Sequence, residues 1–451
     1  MSRLGRSDLR HALLTVVAMT VAMLTGTLCR GQEPPAALVE TRVMSLGRVA
    51  GTEQPERFRR SSDLFLSPNG NGLACLEPTE NGYRFLLNGT PGPTFEVYLN
   101  GSLCFSDDGK RLAYGIRRAN RYLVVCDDKE ILDACSPALS PDGKLLAHAH
   151  MPPTGWKFMT VNGKVIGPKV SDCVDMTVLS PDGKHLAYRA SRRMHYWFIV
   201  HDGKKLKTWG SVGRPVFSPD SRRLAYAADD GDIGRAGDWY VVCGSAKSGP
   251  YNDVGTPVFS PDSRQLAHTA WRDGKWFVVL DGKELSQWTR VQTPVFAPAG
   301  RNLAYVAALQ NRWFVVRNEK GSPSYDAVGT PAFSPDGKHL AYWGTRKGET
   351  WLTCDDRKCS PFGGADGVFL WLGFSTDSRH LAGVVRRADG DRVVCDGVEG
   401  PAHRQVLIPV NYALVPGKLR YAAVDGAEAS LVEVDWPAGR TWEDAFKPAG
   451  K

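Results

Sequence analysis

Apolar and polar positions alternate in short bursts along most of this chain. Runs such as "WFVVL" from Trp276, "WFVVR" from Trp313 and "YWFIV" from Tyr196 hold five residues. They are rich in β-branched and aromatic side chains and bounded by Gly, Asp and Asn, which is the pattern of strands. No segment sustains the 3.6-residue period of an amphipathic helix. The pattern predicts an all-β protein.

One phrase recurs at regular intervals: apolar-Ser-Pro-Asp-Gly-basic-x-Leu-Ala-Tyr. It reads "LSPNGNGLAC" at Leu66, "FSDDGKRLAY" at Phe105, "LSPDGKLLAH" at Leu139 and "LSPDGKHLAY" at Leu179. It continues as "FSPDSRRLAY" at Phe217, "FSPDSRQLAH" at Phe259, "FAPAGRNLAY" at Phe296, "FSPDGKHLAY" at Phe333 and "FSTDSRHLAG" at Phe374, with a worn tenth copy at Leu414. The alanines of the Leu-Ala pairs are spaced 39, 34, 40, 38, 42, 37, 37 and 41 residues apart. Ser-Pro-Asp-Gly is a type I turn, with Pro presetting φ and Gly supplying freedom. It joins two short strands. A polar loop, a third strand opened by an aromatic residue, a "DGK" turn and a weaker fourth strand complete the unit.

Four strands in about 40 residues, repeated along the chain, define a β-propeller blade. The motif resembles the TolB-type, WD-repeat-like propeller family, whose repeats carry this Ser-Pro-Asp-Gly turn. The resemblance covers residues 41–436. It implies about ten four-stranded blades of roughly 38–40 residues, in one wide ring or two smaller ones. The tenth unit stops at Pro437 without a fourth strand, and "ETRVMSLGRVA" from Glu40 has no partner. The N-terminal strand is therefore expected to complete the last blade.

The first residues break the pattern. Arg3, Arg6 and Arg10 precede the apolar run Ala12–Leu28, and the next acidic residue after Asp8 is Glu33. This is the layout of a secretory signal peptide, so residues 1–31 are read as signal, 32–40 as linker and 437–451 as a tail. An uncleaved anchor is the alternative. Losing four arginines and one aspartate with the signal lowers the net charge from +8 to +5. A mildly basic exported chain suits an anionic partner and does not suggest nucleic acid. The expected location is the periplasm or the medium, with no membrane span after signal removal.

Ten cysteines become nine after cleavage, a number that cannot pair fully within one molecule. Cys354 and Cys359 enclose "DDRK" as a four-residue hairpin loop, with a disulfide or plain strand packing as alternatives. The same holds for Cys126 and Cys135. No zinc-site spacing, Walker loop, His-Glu-x-x-His, Gly-x-Ser-x-Gly or dinucleotide fingerprint is present, so no cofactor or metal is expected.

The aspartates Asp142, Asp182, Asp220, Asp262 and Asp336 recur once per blade and read as turn residues, since chemistry needs one constellation. Trp197, Trp239, Trp276, Trp313 and Trp351 recur likewise and read as packing. By the resemblance, the channel mouth is ringed by Asp63, Ser102, Ser136, Met176, Arg214, Thr256, Thr293, Thr330, Trp371 and Asn411. Only Asp63 and Asp175 offer carboxylates nearby, which argues against catalysis.

The loop between the second and third strands is the informative place. It carries Arg117, Arg118 and Arg121, then Arg192, Arg193 and His195, then Arg272, Arg312, Arg346 with Lys347, and Arg386 with Arg387. Arg pairs bidentately with carboxylate, phosphate or sulfate. The expectation is a non-enzymatic binding or scaffolding module for a protein or an anionic envelope polymer. The alternatives are a glycan lyase or hydrolase with a channel-mouth site, an assembly partner of an envelope complex as the resemblance implies, and a basic surface neutralised by Asp229, Asp230, Asp232, Asp273, Asp389 and Asp391.

Overall fold

The structure is a computed structural model, and it describes residues 38–48, 64–68, 72–153, 155–192, 196–231, 237–358, 368–408, 414–415, 417–425 and 428–446. The signal-peptide reading of residues 1–31, and Asp63, Arg193, His195, Cys359 and Asn411, lie outside these. No helix among the described residues is long and apolar enough to cross a membrane.

Ten antiparallel sheets follow one another along the chain as the blades of a β-propeller ring. In blades 2 to 9 the strands run in simple up-and-down order. The fourth strands are the most exposed, as in Lys129–Leu132 and Lys204–Trp209. The second strands are buried on both faces, as in Leu303–Leu309 and Leu224–Asp229. That burial explains why they read as unbroken apolar runs. The core lies between blades: Val306 and Val315 of blade 7 pack with Leu340 and Tyr342 of blade 8, and Tyr188 and Phe198 of blade 4 pack with Ala149 and Met159 of blade 3.

The Ser-Pro-Asp-Gly turn is built as its residues dictate. Gly143 N–H donates to Ser140 O at 2.8 Å, closing the turn. Ser140 is fully buried, and its hydroxyl donates to Asp142 Oδ1 at 2.6 Å and accepts from Leu145 N–H at 2.9 Å. Asp142 Oδ1 also accepts from Lys144 N–H at 3.0 Å. These donors, the serine hydroxyl first, hold Asp142 down at about 2.

A second turn, between strands three and four, is a two-residue hairpin with both central residues at positive φ. Asp127 and Asp128 sit at 48° and 63°, and Asp355 and Asp356 at 47° and 66°. This is the type I′ hairpin that matches strand twist. Its first side chain reaches the start of the second strand: Asp127 Oδ1 accepts from Leu112 N–H at 3.2 Å, and Asp355 Oδ1 from Leu340 N–H at 3.0 Å. The hairpin places Cys354 opposite Arg357, so "DDRK" is not a four-residue loop. Cys126 and Cys135 are both unbridged, on neighbouring blades.

The last blade joins the two ends of the propeller. Glu40–Arg48 pairs antiparallel with Glu428–Asp435, from Glu40 opposite Val434 to Arg48 opposite Glu428. Leu38 is buried against Val393, Val406 and Tyr421. After Pro437, the one-turn helix Trp442–Ala445 buries Trp442 against Phe374, Leu381 and Cys354. That docking had no sequence signal, because one turn is too short to show a period.

Candidate functional site

The connections between the second and third strands differ sharply among blades. In blades 2, 6, 7, 8 and 9 they are two-residue turns, as shown by the pairs Arg118–Arg121, Arg272–Lys275, Leu309–Arg312, Arg346–Glu349 and Arg387–Gly390. Among the described residues, longer connections run in blades 3, 4 and 5, from His150 to Lys157, Ser191 to Trp197 and Asp229 to Trp239. Most of the expected loop arginines are therefore strand-end residues. Arg117, Arg118, Arg272, Arg346, Arg386 and Arg387 close second strands, and Arg121 and Arg312 open third strands.

Several of these arginines already have partners. Arg118 binds Glu130 at 2.8 Å through Nη1, Arg272 binds Glu284 at 2.8 Å, and Arg387 binds Glu399. Each partner lies 12 residues on, so this clamp from the second strand to the fourth is itself a repeat feature. Arg121 pairs with Asp133 at 2.7 Å, Arg312 with Asp326, and Arg386 with the buried Asp391 at 2.8 Å. Of the expected aspartates, Asp391 serves this purpose and Asp389 holds Arg392 at 2.5 Å. Among the described residues, Arg117, Arg192, Arg346 and Lys347 form no side-chain ion pair and are exposed.

The long connections of blades 3 and 4 enclose an open hollow of about 410 Å³ lined by Trp156, Lys169, Ser171 and Arg192. Trp156 is 58% exposed, unusual for a tryptophan in this chain. The register explains why. Val161 holds the place in blade 3 that Leu280 holds in blade 6, so the position of Trp276 falls to Lys157. The tryptophan is displaced by one residue, out of the strand and into the loop. Lys169 comes from the fourth strand of blade 3, its Nζ 5.5 Å from the Phe158 ring. An exposed indole beside two unpaired cations can stack on a flat or ring-shaped ligand face while pairing with its anionic groups. Sequence reasoning found Arg192 but missed Trp156 and Lys169. The displaced tryptophan was the signal.

The first strands are interrupted at the expected mouth residues. In blades 6, 7 and 8, Thr256-Pro257, Thr293-Pro294 and Thr330-Pro331 split the strand in two, because proline has no N–H for the ladder. Thr256, Thr293, Thr330 and Arg214 are exposed at this kink, and Met176 is exposed at a bulge in the unbroken strand Cys173–Leu179. Asp175 is occupied by Arg189, with contacts of 2.7 and 2.6 Å, and Arg189 stacks 4.2 Å from Trp197. The recurring tryptophans Trp197, Trp239, Trp276, Trp313 and Trp351 are half-buried. Trp197 and Trp313 pack against interblade cores.

No protein-family model matches the chain, and no curated protein matches it. Solved structures do match. A structure of the Dos1 propeller is 13% identical, covering 68% of this chain and 92% of that one at a TM-score of 0.37. TolB from Acinetobacter baumannii is 16% identical, covering 61% of this chain and 80% of its own at 0.27. The dihydro-heme d1 dehydrogenase NirN in complex with DHE is 15% identical, covering 76% and 81% at 0.35. The class of this protein, a ten-bladed β-propeller, stands on its own sheets.

Proposed function

We propose that this chain is an exported, non-enzymatic propeller of the TolB-like kind, working in the periplasm or outside the cell as a binding module for an anionic envelope polymer. The hollow between blades 3 and 4 is its reading surface. Trp156 stacks on a sugar ring, while Arg192 and Lys169 pair with its carboxylate or sulfate groups. The observation that carries this reading is a contrast: most of the recurring strand-end arginines are paired, whereas Arg192 and Lys169 lie without ion pairs beside an exposed tryptophan where blade 3 departs from the repeat. A rigid ring holds that surface in place, since its blades share buried cores.

The test is titration of the protein with a polyuronate, a sulfated glycan and a neutral glucan at about 50 and 300 mM salt, following tryptophan fluorescence. Binding of the acidic polymers, weakened by salt and at least about tenfold weaker in Trp156→Ala, supports the reading. Equal binding of the neutral glucan, or an unaffected Trp156→Ala variant, overturns it.

A further inference from the structure

Blade 4 departs from the repeat at one more point, at the opposite end of its second and third strands from Arg192. In blades 4, 8 and 9 the residue before "Leu-Ala" is a histidine that approaches the first residue of the turn between strands three and four. His339 Nδ1 lies 2.5 Å from Asp355 Oδ2 in blade 8, and His380 Nδ1 lies 2.5 Å from Asp396 Oδ2 in blade 9. His185 Nδ1 lies 2.7 Å from Asp202 Oδ2 in blade 4. The third corner differs. The last residue of the third strand is Cys354 in blade 8 and Cys395 in blade 9, both fully buried with thiols that burial pushes up, so they stay protonated. In blade 4 that residue is His201.

We propose that His185, His201 and Asp202 form a binding site for a divalent transition-metal ion of the zinc, nickel or copper class. The three donor atoms lie within 4.8 Å of one another, and among the described residues this is the group of ligating side chains so arranged. His201 Nε2 is shielded from solvent and makes no hydrogen bond. It points at the cluster, 3.5 Å from Asp202 Oδ2. A metal ion would give that unpartnered nitrogen a bond. Bonds of about 2.0–2.1 Å in tetrahedral geometry separate ligand atoms by roughly 3.3 Å. The His201–Asp202 pair already has that spacing, and the His185–Asp202 pair needs to open by about 0.6 Å as the ion replaces the hydrogen-bonded proton.

Neighbouring groups position the ligands. Asp202 Oδ1 is held by Leu186 N–H at 2.9 Å, leaving Oδ2 for the ion. The Phe217 ring of blade 5 lies 5.6 Å from the His201 ring and 6.4 Å from that of His185, an apolar wall beside both imidazoles. Two imidazoles and one carboxylate favour these ions over calcium or magnesium, which prefer all-oxygen cages.

The test uses metal-free, untagged protein titrated with Zn²⁺ by calorimetry and with Co²⁺ by visible absorption. One equivalent should bind, with Co²⁺ bands of nitrogen and oxygen ligation and no thiolate charge-transfer band. His201→Gln should lower affinity at least about tenfold while leaving thermal unfolding of the metal-free protein unchanged, since Nε2 makes no hydrogen bond to lose. His339→Gln in blade 8 should leave metal affinity as it was. Failure to bind a stoichiometric ion, a thiolate spectrum, or undiminished binding by His201→Gln overturns the proposal.

Discussion

Glu40 and His403 are 363 positions apart in sequence and share a 2.8 Å contact between Glu40 Oε2 and His403 Nε2. The other ring nitrogen, Nδ1, lies 2.9 Å from Asp425 Oδ2. Both nitrogens face carboxylates, so both donate and the ring is an imidazolium. Tyr421 donates to Glu40 as well. This cluster, centred on the buried His403, pins the N-terminal strand to the last blade, and it predicts how that strand is lost. His403→Ala leaves Glu40 without its cation, at a cost of roughly 3 kcal/mol, while Asp425 keeps its contact with Arg42 at 3.3 Å. Limited proteolysis should then cut the Glu40–Arg48 strand well before the other blades.

The same cluster sets a pH dependence. The hydrogen bond to Glu40 raises the pKa of His403 above its ordinary value, against the opposing effect of burial. A raised folded pKa means the stabilisation is complete below the unfolded value of about 6.5 and is lost as pH rises through the folded value. Melting followed from pH 6 to pH 9 should show this loss in the parent protein, and His403→Gln should flatten it.

The turn aspartates act in the opposite direction. Asp142 is held at about 2, and Asp108, Asp182, Asp220 and Asp262 are lowered by the hydroxyls of the serines two residues before them. Their contribution is present above the unfolded value of about 3.9 and disappears as pH falls toward 2. Acid unfolding should steepen across that window, and an Asp142→Asn, Asp182→Asn, Asp262→Asn variant should show a shallower transition.

Three blades replace the turn glycine by serine, and the replacement has a consequence between blades. Ser221, Ser263 and Ser378 sit at φ 64°, 60° and 63°. The Oγ atoms of Ser221 and Ser263 accept from Asp182 N–H at 3.0 Å and Asp220 N–H at 2.9 Å, and Ser378 Oγ accepts from Asp336 N–H at 3.0 Å, each on the preceding blade. Ser221→Gly relieves the left-handed backbone but removes that bond. Net destabilisation of about 1 kcal/mol or less is expected from chemical denaturation, smaller than for Ser221→Ala, which loses the bond and keeps the strain.

Cysteine chemistry offers another check. Cys126 and Cys135 are unbridged, and burial pushes both thiols up to about 11. Alkylation of the folded protein at pH 8 without reductant should leave them unmodified. Alkylation after unfolding, still without reductant, should label both, whereas a disulfide would protect them.

Much of the fold is legible in the sequence because each blade repeats a turn whose chemistry needs particular residues. Ser140 and Asp142 form the same hydrogen-bonded turn as Ser260 and Asp262, so the period shows through. The strand Glu40–Arg48 was readable because the tenth unit lacked a fourth strand. The site was harder to read. Composition shows that Arg272 and Arg192 are both arginines near the same connection; it does not show that Glu284 already holds one of them, which depends on cross-strand register. Likewise His201 looks like any strand residue until the hairpin sets it beside His185.

In the proposed function, the unpaired cations between blades 3 and 4, and not the paired arginines, meet the ligand. Two double variants test it, because each removes two positive charges. Lys169→Ala with Arg192→Ala empties the hollow, and Arg272→Ala with Arg312→Ala strips two paired positions, whose surface ion pairs contribute less than about 1 kcal/mol each. Affinity for a polyuronate at low salt should fall at least about tenfold in the first and stay within about twofold in the second. Equal losses would mean that net charge alone governs binding, and a loss confined to the second would place the working surface elsewhere.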